Sequence, residues 1–162
     1  CGVPLGPSFG VVDACRISCD VDLKYSPKYY NKMGINLELP SAQNAITNSV
    51  FRRHLNGRVF CNDPDVFFLR KNNLSFTREQ KLLLGKINNL CGDVLFVSDN
   101  AGDYSDEDIE LLKKFFEKTD SHIASAEFVS EDEISIHYTE NGKNLTLDFN
   151  LRTGKSNVEK LI

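Results

Sequence analysis

The hydrophobic period of this chain changes near Thr119, and that change constrains its fold more than any other feature. Before it, short apolar runs alternate with stretches at helical spacing. Val11 to Ser18 is mostly apolar and suits a strand covered on both faces. Pro40-Ser41 opens a helix in which Ala42, Ala45, Ile46, Ser49, Val50 and Leu55 sit near helical spacing, and Asn56-Gly57 stops it. Val59 to Cys61 reads as a short strand ending in Asn62-Asp63-Pro64-Asp65, and Val66 to Leu69 continues apolar. A second helix starts at Thr77, where Gln80 three residues on completes a capping box, and stops near Gly92. Val94 to Val97 is strand-like, and a third helix starts near Ser105 with Ile109, Leu112 and Phe116 on its face. Alternating strands and helices predict a parallel α/β architecture over residues 1–118.

After the change, Ala126 to Val129, Ile134 to Tyr138 and Leu145 to Leu151 alternate with period two. Asn141-Gly142 lies between the last two runs and is a strong short-range hairpin signal. Residues 119–162 therefore predict a small antiparallel sheet, set apart from the α/β section.

The 162 residues suffice for one ordinary domain with a sizeable core. A net charge of −4 gives no electrostatic reason to bind nucleic acid or an anionic membrane surface. No window approaches the roughly 18 apolar residues of a membrane span. No charged start precedes an apolar stretch, so no signal peptide is expected. The chain begins at Cys1 and its only methionine is Met33, so it reads as a fragment whose N-terminal part is missing. Cys1, Cys15, Cys19, Cys61 and Cys91 match no zinc spacing, and His54, His122 and His137 follow no ligand pattern. The expectation is reduced thiols in a cytoplasmic compartment, with no metal and no cofactor.

Chemistry-bearing residues concentrate in the first twenty positions. Asp20 follows the first apolar run, and functional groups in parallel α/β folds gather at strand C-termini. On an ideal strand Arg16 shares its face but stands roughly 13 Å away, so both reach one ligand only if the chain turns near Ser18-Cys19. The same pair also fits a strand-end charge beside a solvated arginine. Cys1-Gly2 offers a thiol and bare backbone for close approach. Asp63-Pro64-Asp65 presents two carboxylates at an angle set by proline, for binding, catalysis or simply capping a turn. Tyr25, Tyr29 and Tyr30 fit a pocket lining or a packed surface. The acidic loop from Ser98 to Asp103 resembles a calcium loop only loosely.

These motifs together resemble the C-terminal part of bacterial alpha-galactosidases of glycoside hydrolase family 36. The resemblance rests on Cys1-Gly-x-Pro, Gly10-Val-Val-Asp13, Arg16-Ile-x-x-Asp20, the helix end Phe51-Arg-Arg-His-Leu-Asn-Gly, and Asn62-Asp-Pro-Asp65 followed by Leu69-Arg70. It covers nearly all of the α/β section, and the tail resembles the family's C-terminal β-domain by position and pattern. It implies the last strands and helices of a (β/α)8 TIM barrel. It also implies hydrolysis of terminal α-linked galactose, as in melibiose and raffinose-type sugars, with retention.

A retaining enzyme needs two carboxylates about 5–5.5 Å apart. By the resemblance, Asp20 is the acid/base, Arg16 lies beside the sugar and the nucleophile, and Cys1 with Gly2 lies near the galactose 2-hydroxyl. Asp63 and Asp65 would support the site from behind. The nucleophile and the groups that grip the 4- and 6-hydroxyls belong to earlier strands, outside this chain. The family often has Gly-Pro before the acid/base and an aromatic after it. Here Ser18-Cys19 and Asp22-Leu23 stand there, on the leaving-group side. The expected partner is a small oligosaccharide, and a homo-oligomeric parent stays open. Two other readings remain: a related barrel glycosidase, such as an α-N-acetylgalactosaminidase, and a non-catalytic sugar-binding α/β protein.

Overall fold

The computed structural model describes residues 5–26 and 39–162. Among the described residues three α-helices form where local capping chemistry starts them. In α1 (Ala42–Arg52) the Ser41 hydroxyl accepts from the Asn44 amide. Before α2 (Arg78–Cys91), Thr77 and Gln80 form the reciprocal capping box that their spacing predicts. Ser105 and Asp108 form another before α3 (Asp106–Phe116). Each cap satisfies backbone donors that the first helical turn leaves without intrahelical partners.

Three of the four parallel strands are shorter than the apolar runs that predict them, and β2 keeps its predicted length but lies two residues later than Val59 to Cys61. β1 is Ala14–Arg16 and pairs in parallel with β2, Cys61–Asp63. β3 is Val66–Phe67 and pairs in parallel with β4, Phe96–Val97. The predicted strand from Val11 is thus reduced to three residues. Val11 is 76% exposed and is not covered on either face, contrary to the expectation. Among the described residues β1 has a neighbour on one side only, so its ladder fixes few residues. No barrel closes among the described residues: the four parallel strands form two pairs.

The tail is a three-stranded antiparallel meander of β5 (Ser121–Phe128), β6 (Glu133–Glu140) and β7 (Lys143–Asn150). Asn141 and Gly142, at φ of 50° and 76°, make the tight turn between β6 and β7. β5 begins five residues before the Ala126 run. Its first half, residues 121–124, holds Ile123 as its one large apolar residue, too little to show an apolar alternation, so pairing with β6 defines it.

One face of this sheet is buried. Ile134, Ile136, Tyr138, Leu147 and Phe149 join Leu83, Leu84 and Ile87 of α2, Ile46 and Val50 of α1, and Phe67 of β3 in a single hydrophobic cluster. The sheet that the sequence sets apart therefore shares its core with the α/β section. Tyr25 also belongs to this core, 4% exposed and edge-to-face with Phe76. Tyr29 and Tyr30 lie outside the described residues. Among the described residues no helix is long and apolar enough to cross a membrane.

Candidate functional site

Arg16 is the last residue of β1 and sits opposite Asp63, the last residue of β2. Parallel register thus places a cation and a carboxylate side by side at the C-terminal ends of two strands. Arg16 Nε donates to Asp63 Oδ2 at 3.0 Å. Pro64 then turns the chain, and Asp65 follows at φ 77°, in the left-handed region that side chains rarely occupy. The Asp63 Oδ1 atom accepts the Asp65 amide at 2.8 Å, which closes the turn locally. The turn aims the second carboxylate at the same guanidinium, with Asp65 Oδ1 2.9 Å from Arg16 Nη1.

The chain leaves β1 by the turn that the Arg16–Asp20 spacing requires. Ile17 is buried, its amide donates to the Asp63 carbonyl, and its carbonyl accepts from Arg52 Nη1 at 2.6 Å. The Ser18 hydroxyl donates to the Pro64 carbonyl at 2.9 Å. Cys19 Sγ lies 3.7 Å and 3.8 Å from the carbonyl oxygens of Leu39 and Ser41, so this turn also rests on the start of α1. Asp20 therefore folds back, and its Oδ1 lies 3.2 Å from Arg16 Nη1 instead of a strand's length away.

The four side chains form a graded cluster. Their exposures are 54% for Asp20, 27% for Arg16, 15% for Asp63 and 8% for Asp65. One fixed positive charge faces three carboxylates. Burial works against the charge on Arg16. The hydrogen bond to Asp63 and the fields of Asp65, Asp63 and Asp20 together outweigh it, and they hold the guanidinium above its ordinary pKa. Arg16 is thus a permanent cation at every accessible pH. Asp63 and Asp65 are enclosed and engaged by protein groups, whereas Asp20 is open to solvent at the mouth. A solvent-facing carboxylate beside a fixed cation, at the C-terminal edge of parallel strands, offers a polar ligand both a hydrogen-bond acceptor and a hydrogen-bond donor.

Arg16, Asp20, Asp63 and Asp65 are therefore brought together. Cys1 and Gly2 lie outside the described residues. Ser18 lies in the turn expected at Ser18-Cys19, whereas Arg52 and the Val21 amide are parts of the site that the sequence reading did not single out. Arg52 lies in the Phe51-Arg-Arg segment already noted, which was the available signal for it.

The acidic loop from Ser98 to Asp103 has a different task. The side chain of Asp99 is fully buried. Its Oδ2 accepts from the amides of Leu69 and Arg70, at 2.5 Å and 2.9 Å, and from the Tyr104 hydroxyl at 2.6 Å. Burial and this carboxylate raise the Tyr104 phenol well above its usual range. The loop thus fastens the strand ends of β3 and β4. Among the described residues no group of three or more His, Cys, Asp or Glu side chains is arranged to hold a metal ion. A cleft of about 700 Å³, lined by Asn89, Asp93, Val94, Glu117 and Asp120 among others, opens where the chain enters β4, and none of the four Arg16-cluster residues lines it.

No protein-family model matches the chain. Among solved structures, the chain is similar to an alpha-galactosidase from Thermus thermophilus in complex with p-nitrophenyl alpha-D-galactopyranoside. The match has a TM-score of 0.69 at 18% sequence identity and covers 90% of this chain. It covers 28% of the Thermus chain, so the present chain spans less than a third of that protein's length. The two share a fold over this region.

Proposed function

We propose that the chain is the C-terminal part of a retaining alpha-galactosidase of the family 36 type, in which Asp20 is the acid/base. The observation that carries this reading is the convergence of Asp20 and Arg16, 3.2 Å apart at the strand ends of an alpha-galactosidase-like fold. In this reading residues 1–118 complete a (β/α)8 barrel and residues 119–162 form the β-domain behind it. The enzyme is cytoplasmic, needs no cofactor and takes a small oligosaccharide ending in α-linked galactose.

In the first step a carboxylate from an earlier strand attacks the anomeric carbon, and the glycosidic bond breaks. Asp20 gives its proton to the departing oxygen, so the leaving group departs neutral. In the second step Asp20, now a carboxylate, takes a proton from water as that water displaces the enzyme's ester. Galactose leaves with its original configuration, and Asp20 is again protonated. Arg16 supplies fixed positive charge to both steps. In this reading Cys1 serves the sugar's 2-hydroxyl and Gly2 is a further substrate-binding residue.

The test uses the full-length polypeptide that contains these residues, with p-nitrophenyl α-galactoside as substrate. Asp20→Ala slows hydrolysis by about 10²- to 10⁴-fold, the usual size of a general acid/base contribution. Azide then restores turnover by replacing water without needing a base. If azide restores nothing and the loss is the same for good and poor leaving groups, Asp20 is not the acid/base. Preference for an N-acetylgalactosaminide over the galactoside would move the substrate assignment to that sugar. Residues 1–162 alone show no turnover, because the partner carboxylate is elsewhere.

A further inference from the structure

We propose that Asp65 is a positioning residue for Asp20; the inference rests on the acid/base reading above. It starts from what the two oxygens of one buried carboxylate hold. Asp65 Oδ1 lies 2.9 Å from Arg16 Nη1, the same nitrogen that reaches Asp20 Oδ1. Asp65 Oδ2 accepts the backbone amide of Val21 at 2.7 Å. Val21 is the residue after Asp20. Asp65 therefore grips both the cation in front of Asp20 and the backbone behind it.

Asp63 makes no such bridge. It takes Arg16 Nε and the Asp65 amide, so it fixes the guanidinium and the turn but not the Asp20 loop. Asp65 is itself held from the opposite side. Its carbonyl accepts from Asn88 Nδ2 at 3.0 Å, and Asn88 is a fully packed residue of α2. Its backbone stays at φ 77° although it is not glycine, a conformation that persists only where the surroundings determine it. A line of contacts thus runs from α2 through the Asp65 backbone and carboxylate to both sides of Asp20.

The consequence is specific to proton transfer. Asp20 is 54% exposed, so packing alone does not define its position. Without Asp65 the Val21 amide loses its acceptor, and the loop keeps its ties before Asp20, through Ile17 and Ser18, but loses the one after it. Arg16 also loses one of the carboxylates that orient it. Protonation of a leaving oxygen depends on sub-ångström placement of the acid. A step that needs no protonation depends on it far less.

Two measurements test this. In the full-length enzyme, Asp65→Asn keeps the shape and lowers kcat about tenfold or more for a galactoside with a poor leaving group. For a dinitrophenyl galactoside, which departs without a proton, it lowers kcat less than about threefold. Equal losses on both substrates overturn the proposal, since that is what a purely structural role produces. Asp20→Ala is the control. If it shows no leaving-group dependence, the acid/base reading itself fails. If it shows that dependence and Asp65→Asn does not, only the positioning role fails. The second measurement needs no variant. In the full-length protein the Val21 amide exchanges about 100-fold or more slowly than in an unstructured chain, as a half-buried hydrogen-bonded amide does. Exchange at the unstructured rate overturns the proposal.

Discussion

Lys86 of α2 donates to Glu140 of β6 at 2.7 Å, with only 7% and 14% of the two side chains exposed. The pair joins the helical layer to the antiparallel sheet, and the Thr119 hydroxyl donates to the same Glu140 oxygen. The Lys86 ammonium also lies 5.5 Å above the Tyr138 ring. Removing one partner of such a pair leaves an uncompensated charge in a low-dielectric interior. Glu140→Ala therefore destabilises the protein by about 3 kcal/mol. Replacing both residues by methionine costs less than the single change. Urea denaturation of the three proteins measures this, and a single-variant loss under about 1 kcal/mol contradicts it.

Gly85 sits in the middle of α2 because Phe115 of α3 packs directly over it. A Cβ at this position would lie 2.5 Å from Phe115 Cε2 and 2.7 Å from Cζ. Gly85→Ala gains up to about 1 kcal/mol of helix propensity, against an overpacking cost of about 1–3 kcal/mol. Phe115 is 2% exposed and makes an edge contact with Phe67, so it has little room to move. The overpacking cost wins, and the net loss is about 1–2 kcal/mol. Adding Phe115→Leu to Gly85→Ala recovers part of it relative to the sum of the single changes. Thermal melts of the four proteins in that cycle decide the matter, and strict additivity sinks the argument.

The features legible in the sequence are those written in local chemistry. Thr77 with Gln80, and Asn141-Gly142, declare a helix start and a hairpin through residues one to three positions apart. The need for a turn between Arg16 and Asp20 was likewise a matter of spacing. What stayed hidden depends on contacts between distant segments. The acceptor for the Val21 amide is 44 residues away, and a backbone amide leaves no mark in a sequence. Asn88 looks like an ordinary polar residue of a helix until its amide is found on the Asp65 carbonyl. The acidic loop has only a loose likeness to a calcium loop, and its composition does not reveal that Asp99 points inward to backbone amides. Strand lengths were overestimated for a related reason: apolar runs predict burial, but a parallel ladder holds only where a neighbour exists.

Cys91 ends α2 fully buried, and desolvation pushes its thiol up to about 12, with Arg53 opposing only in part. The ordinary value used for comparison is 9.0, so at pH 8 its thiolate fraction is about a thousandfold smaller than that of an unperturbed cysteine. Cys15 and Cys61 are half-buried on the paired strands β1 and β2. A thiol reagent added to the native protein therefore modifies Cys15 and Cys61 before Cys91. Cys91 reacts only as the core opens, and its rate rises steeply with urea. Mass-spectrometric mapping of the labelled sites over time reads this order directly. Early labelling of Cys91 in the absence of urea contradicts the packing at the end of α2.

Asp108 closes the capping box of α3, and its acid-dependence has a definite sign. The Ser105 hydroxyl donates to Asp108 Oδ2 at 2.6 Å, and the Ser105 amide donates to the same atom. These hydrogen bonds, above all the one from the hydroxyl, hold the carboxyl below its ordinary value of 3.8; partial burial opposes them, and Lys71 and Lys81 add to them. A carboxyl lowered in the folded state stabilises the fold above its unfolded pKa, and that stabilisation is lost as the pH falls through the folded value. Asp108→Ala therefore costs about 1 kcal/mol at pH 7, the typical worth of a helix cap. The difference between wild type and variant shrinks once the pH drops below about 4, where the unfolded carboxyl is protonated and the folded one follows. Urea midpoints at pH 7 and pH 3 measure the two gaps. A gap of equal size at both pH values means that the ionised carboxylate is not what caps the helix.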